Sequence, residues 1–349
     1  MKSRHFFFRN WTTATIEYRV HKSLATLLGH DQTDLYLFIH SPSIHLSKRF
    51  GRTSSMRSLL LPILRVAACV WRLSTINAFV LTSSIPRASP RLFLGGAANK
   101  NDCMERPSIA FPGGGLYFYW QAGVICFLRE NGYDLSSTTF CGASAGALVA
   151  TLTATEVDFY RTTQLALDLS EKMGVWDRSQ GLQGVWGQTI EDWLEELLPE
   201  DAVEKAQRHD LTLLVTRIPS FQKERVHEFV DRDDLIRCNR ASVHIPWFLD
   251  GKLTIDYRGK TCIDGSFMVD KRLFLPRQQS SIPTIWLDHK MDPAFQKTTL
   301  LDAVNLVEPT AIWTLLEQGK AFGRSMSENS EMFDALPRTR KPMRFRLFA

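Results

Sequence analysis

Two strand–turn–helix units follow one another between residues 108 and 155, and no other feature of the chain narrows its fold as far. SIAFPGGG (108–115) opens on an apolar run and stops at three glycines. LYFYWQAGVICFLRENG then sets Leu116, Tyr119, Trp120, Gly123, Phe127 and Leu128 at helical spacing, and Gly132 stands where a helix C-terminus takes glycine. SSTTFCGASAGALVATLTAT repeats the plan, with β-branched residues and Phe140, a turn of small residues, and a second helix from Ala147 to Thr153. Strand, turn and helix repeated in this order predict an α/β fold around a parallel sheet.

The remaining pattern extends that reading. Helical periodicity runs through 156–173 and again through 190–198, ahead of Pro199. LTLLVTRI (211–218), VHEFV (226–230), TCID (261–264) and TIWL (284–287) read as strands. The last 60 residues look helical and then turn basic and loose, with Arg338, Arg340, Lys341, Arg344 and Arg346 among Phe345 and Phe348. Such a tail suits either solvent or anionic lipid headgroups. No internal repeat is visible.

Charge divides the chain in two. Residues 1–100 hold 14 Lys and Arg against Glu17, Asp31 and Asp34, a net +11 within a whole-chain charge of +5, so the remainder is acidic at −6. An acidic body argues against nucleic-acid binding. The chain is 44% hydrophobic and 23% charged, which excludes a disordered or fibrous protein. No run reaches the ~18–20 apolar residues of a spanning helix, and the six Cys show no metal-ligand spacing. His209, His227 and His244 show none either, so no metal or other cofactor is expected.

From Met56 the order is a short positive flank, an apolar stretch over 59–71 broken by Pro62 and Arg65, Ala78-Phe79, and then Ser and Arg without acids. That order resembles a signal segment followed by a transit peptide, with Ala78-Phe79 similar to the cleavage junction of bipartite plastid leaders. The expected organisation is a basic, disordered targeting leader over 1–107, with Met1 or Met56 as the start, a catalytic domain over 108–290, and a helical extension with its basic tail over 291–349.

Three short motifs carry the chemistry. Gly142-Ala143-Ser144-Ala145-Gly146 is a GxSxG between strand and helix, where a sharp turn lifts the Ser144 hydroxyl clear of the sheet. The helix that follows directs its N-terminal N–H groups, Ala145 first, toward the serine. Gly113-Gly114-Gly115 lets main-chain N–H groups converge, as an oxyanion hole or a phosphate cradle requires. Phe118 replaces the third glycine of a dinucleotide-binding loop and no P-loop lysine follows, so nucleotide binding is disfavoured. Asp264-Gly265, at the end of a strand, offers a carboxylate facing a crevice.

Together the three motifs resemble the patatin-like phospholipase family. LTLLVTRIP, DRDDLIRC, ASVHIPWF and YRGKTCIDGSF keep the family's order over about 108–290. The resemblance implies a three-layer α/β/α fold with a mainly parallel central sheet. It also implies an oxyanion hole at Gly113–Gly115 with help from Ala145, the nucleophile Ser144, and a Ser–Asp dyad completed by Asp264 without histidine. The substrate implied is a lipid ester met at a membrane or lipid-droplet surface, with no cofactor and no metal.

Two departures stand out. Tyr117 occupies the place where many members carry a cation, and Ser266 replaces the usual Gly or Ala after Asp-Gly, where its hydroxyl would either bond to Asp264 or crowd it. An α/β-hydrolase triad of Ser144, Asp264 and His289 is the runner-up. The 30-residue spacing of the glycine turn and the serine argues against it, and His289 in LDHKMD reads as a solvated histidine. A lipid-binding protein with an impaired site is the non-enzymatic alternative. Nine aromatics (Tyr117, Phe118, Tyr119, Trp120, Trp176, Trp186, Trp193, Trp247 and Phe248) are expected either in the core or along an acyl groove.

Overall fold

The structure, a computed structural model, describes residues 105–277 and 281–339, and three short strands upstream. Those strands, β1 (Tyr18–Arg19), β2 (Tyr36–His40) and β3 (Ser43–Leu46), form an antiparallel sheet in a unit spanning Met1–Arg57. The rest of the expected leader up to residue 104, and the basic tail beyond Thr339, lie outside the described residues.

The main sheet is mixed. Its order is β10 (Ile285–Trp286), β4 (Ser108–Phe111), β5 (Thr139–Ala143), β6 (Thr212–Arg217), β9 (Lys260–Ile263) and β8 (Ile255–Tyr257), with β7 (Lys223–Val226) also paired to β6. From β10 to β6 neighbouring strands run parallel, whereas β6–β7, β6–β9 and β8–β9 are antiparallel. All of β4 and β6 and nearly all of β5 are buried, which is why these strands read as continuous apolar runs rather than alternating ones. The predicted α/β/α arrangement is the one present.

Helices α1 (Phe118–Glu130), α2 (Ala145–Ala154), α3 (Phe159–Lys172), α4 (Trp186–Leu197), α5 (Ala202–Arg208) and α6 (Arg232–Ser242) accompany the sheet. Most of them share one large apolar cluster with Ile109, Phe111, Phe140, Leu213 and Val215. On the opposite face Ala110, Cys141, Ala143 and Leu214 meet Phe274, from a 3-10 turn at Lys271–Phe274.

Helix α1 is buried on every side from Phe118 to Leu128. A helix without a polar face needs a cover, and α8 (Pro309–Asn329) provides it. An added Cβ at Gly319 would stand 2.0 Å from the Trp120 carbonyl oxygen, and the Trp120 and Phe322 rings lie 4.8 Å apart. Ile312, Leu315 and Phe322 of α8, and Phe333 and Leu336 after it, are therefore packed into the same core. One strand differs from expectation. VHEFV was expected as a strand over 226–230, but β7 ends at Val226 and pairing continues backward to Lys223 instead. Phe229 is buried by side-chain packing while Val230 is 81% exposed, so apolar residues there mark contacts of a loop.

Candidate active site

Ser144 is the last residue before α2 and has φ 54° and ψ −133°. This left-handed conformation is costly for a residue with a Cβ, and costs of this kind persist where the surroundings over-determine the backbone. The crowding around the turn is severe. A Cβ on Gly146 would fall 2.0 Å from the Phe111 carbonyl oxygen, and one on Gly142 would fall 2.3 Å from that of Gly146. The Ser144 N–H donates to Ser242 Oγ at 3.0 Å, and Ser242 Oγ donates to the Leu214 carbonyl at 2.8 Å, so α6 and β6 pin the serine's backbone.

Asp264 follows β9 and is buried beside this serine. Its N–H donates to the His244 carbonyl at 2.9 Å, its own carbonyl accepts from Thr216 Oγ1 at 2.7 Å, and Gly265 lies against the Leu214 carbonyl with no room for a Cβ. Oδ1 accepts from the Ser266 N–H at 2.8 Å and from Ser266 Oγ at 2.5 Å. Oδ2 is buried and makes no hydrogen bond of regular geometry. Burial pushes the Asp264 carboxyl above the usual range, opposed by the nearby Ser144 hydroxyl, by Ser266 and by the charge of Lys223. Lys223 Nζ donates to Thr216 Oγ1 at 2.7 Å and to the Phe267 carbonyl. Burial lowers its own pKa to about 8.

The glycine turn lies across from this pair. A Cβ on Gly113 would stand 2.8 Å from Ser266 Cβ and 3.0 Å from Ser144 Cβ, which brings turn, serine and aspartate loop to one place. Gly115 has φ +54°, and its Cα faces the Ala303 carbonyl closely enough that a Cβ would sit 2.1 Å away. Ala303 belongs to α7 (Leu300–Val304), just ahead of α8. Among the described residues the N–H groups of Gly114 and Gly115 have no acceptor. Ala145 opens α2 beside Ser144.

His289 is a correction. It was expected in solvent but is 6% exposed, and its ring stacks on Tyr117 with centroids 4.0 Å apart and planes 4° apart. Its Nδ1 would be 3.2 Å from a Cβ on Gly114 and lies 3.5 Å from Asp288 Oδ1. Burial lowers its pKa, with Asp288 acting in the opposite direction. Among the described residues it makes no hydrogen bond to Ser144 or Asp264, so the geometry of a triad is not present. The short 3-10 turn His289–Met291 turns the ring inward under the glycine turn, a placement that an alternation of polar residues in LDHKMD does not reveal.

A cavity of about 110 Å³ opens at Ser144. Six of the nine aromatics singled out line it (Phe118, Tyr119, Trp176, Trp186, Trp193 and Phe248), whereas Trp120 is in the core with its indole N–H on Asp292 at 3.0 Å. Sequence reasoning missed Ser242, Thr216 and Lys223 as parts of the site. Ser242 and Thr216 both stand inside segments that carried the family resemblance, so the signal was present without a role attached.

Residues 109–272 match the family model described as Patatin-like phospholipase. The mouse protein named omega-hydroxyceramide transacylase is 30% identical over 173 residues, covering 48% of this chain and 28% of that protein. Mouse 1-acylglycerol-3-phosphate O-acyltransferase Pnpla3 is 25% identical over 204 residues (56% of this chain, 48% of that one). Human patatin-like phospholipase domain-containing protein 2 is 29% identical over 165 residues (45% and 32%). The chain thus spans less than half the length of each of these relatives. The solved structure of VipD from Legionella pneumophila aligns at TM-score 0.29 and 15% identity over 57% of this chain and 54% of that one, too weak a likeness to bear on the fold.

Proposed function

We propose that this chain, which carries a patatin-like phospholipase domain over residues 109–272, is a lipid acyl hydrolase using Ser144 as nucleophile and Asp264 as base. One observation carries the reading: a serine held at φ 54° with its hydroxyl near a buried carboxylate whose Oδ2 is left free of every other donor. Oδ2 of Asp264 takes the Ser144 proton as Oγ attacks the ester carbonyl carbon. The oxyanion forms against the N–H groups of Gly114, Gly115 and Ala145, at the positive end of α2. Asp264 returns the proton to the departing alcohol, then takes one from the water that attacks the acyl-enzyme and passes it to Ser144 Oγ as the fatty acid leaves. A carboxylate whose pKa is raised by burial is a stronger base than one in water, which suits this task.

The apolar cavity beside Ser144 supports an acyl chain as the bound portion of substrate. The lipid is met at a membrane or droplet surface; among the described residues no helix is long and apolar enough to cross a bilayer. A fluorophosphonate probe tests the whole reading. Wild type should be labelled and Ser144→Ala should not, and equal labelling of both, or of neither, would leave the impaired lipid-binding protein as the better account. The basic upstream segment forms part of the same proposal. A fluorescent fusion of residues 56–107 should enter an organelle, the plastid first, and a diffuse cytosolic fusion would refute the targeting while leaving the catalytic reading untouched.

A further inference from the structure

Burying an aspartate raises its pKa, and a base that is protonated at working pH does no work. Asp264 is 6% exposed, so something has to hold it ionised. Several groups oppose the burial. Lys223 faces the aspartate from β7, through Thr216 and the 267 carbonyl. His244, just after α6, accepts the Asp264 N–H on its backbone carbonyl and is not one of the opposing groups, burial lowering the pKa of its imidazole. Ser144 contributes its hydroxyl, which the reaction consumes. Ser266 is different, because it brings two donors to one oxygen, Oγ at 2.5 Å and N at 2.8 Å from Oδ1. It is also wedged against the glycine turn, where a Cβ on Gly113 would lie 2.9 Å from its Oγ.

We infer that Ser266 is a positioning residue of the site: its hydroxyl and its backbone N–H, both donating to Oδ1 of Asp264, keep that carboxylate ionised and leave Oδ2 as the oxygen available to Ser144. Both lone-pair directions of Oδ1 are then occupied, so the carboxylate cannot rotate to exchange its oxygens without breaking two hydrogen bonds. Contact with Gly113 fixes the distance between the base and the oxyanion turn through the same side chain. The inference rests on Asp264 serving as the base of the proposed hydrolase.

Ser266→Ala isolates the hydroxyl, because the backbone N–H remains. The acid limb of its pH–rate profile should move up by about one pH unit, with turnover rejoining that of wild type above the limb. Ser266→Gly removes the wedge against Gly113 as well. Equal shifts in the two variants assign the effect to the hydroxyl, whereas a shift in Ser266→Gly alone would assign it to packing and overturn the inference. A 13C-carboxyl titration of the Asp-labelled full chain reads the same pKa without turnover, with Asp264→Asn identifying the resonance. An Asp264 titration in Ser266→Ala that overlays wild type would sink the inference even if Ser144→Ala is inactive. Full activity in Ser144→Ala would sink the hydrolase reading instead, and the carboxyl titration would still decide the role of Ser266.

Discussion

The turns after β4 and β5 look alike in sequence, each a strand running into small residues and then a helix, yet they are held by opposite means. At the serine turn the left-handed residue is Ser144 itself, and Gly142 and Gly146 are needed because neighbouring backbone comes within 2.0–2.3 Å of any Cβ there. That turn is crowded by the strand and helix beside it, β4 and α2, and Ser242 of α6 adds one hydrogen bond to the Ser144 N–H. At the glycine turn the left-handed residue is Gly115, and Gly114 has comparatively open surroundings, with His289 Nδ1 at 3.2 Å from an added Cβ. What holds that turn arrives from distant chain: Ala303 behind Gly115, Ser266 against Gly113, and the Tyr117–His289 stack beside Gly114. The serine turn's shape is thus set mostly by its own strand and helix, and the glycine turn's shape is borrowed.

The largest effects should come from the proposed reacting pair. Ser144→Ala and Asp264→Asn should each remove nearly all turnover, and the double variant should be no worse than either, because nucleophile and base act as one unit. Asp264→Asn should also raise the melting temperature at neutral pH. The folded-state pKa of Asp264 is raised, so its ionisation favours the unfolded chain. That contribution is absent below the unfolded carboxylate's pKa and grows as pH rises toward the folded value. Melting scans at pH 4 and pH 7 check the sign, since the gain should shrink at the lower pH.

Gly146→Ala comes next and breaks the comparison on its local side. With the Phe111 carbonyl 2.0 Å from the new Cβ, it should cost ~3 kcal/mol and lose activity along with the fold, as followed by denaturant unfolding. Gly114→Ala probes the borrowed side. Stability should change by less than ~1 kcal/mol, while turnover falls toward the ~100-fold expected when an oxyanion donor is misplaced. Equal stability losses in the two variants would erase the distinction between the turns.

His289→Ala should have the smallest effect on turnover. It removes a stacked, buried ring and should cost ~2 kcal/mol of stability, with turnover down less than ~10-fold and Ser144 still labelled by a fluorophosphonate. A loss as complete as that of Ser144→Ala would restore the triad.

Strands β4 and β5, helices α1 and α2 and the turns between them were legible in the sequence, because each depends on residues within a few positions of one another. The serine turn was legible for the same reason: a GxSxG between strand and helix supplies the small residues that turn needs, though not the Phe111 carbonyl and the Ser242 hydroxyl that surround it. The aspartate was legible only through the order of several motifs together. VHEFV misled because an apolar loop and a short strand share a pattern when tertiary packing does the burying.

Sheet order decided the rest. Pairing β10 beside β4 carries His289 under the glycine turn, and pairing β9 beside β6 carries Asp264 to the serine. The return of α7 and α8 over α1 sets Ala303 against Gly115. None of these contacts has a local signature, since side chains more than 100 residues apart meet only after the strands have chosen their neighbours. The sequence by itself therefore determined the fold class, the strained serine and the kinds of residue available to the site. Which oxygen of Asp264 is left free of Ser266 and what braces the glycine turn were decided by tertiary structure, because burial and orientation belong to the packed whole.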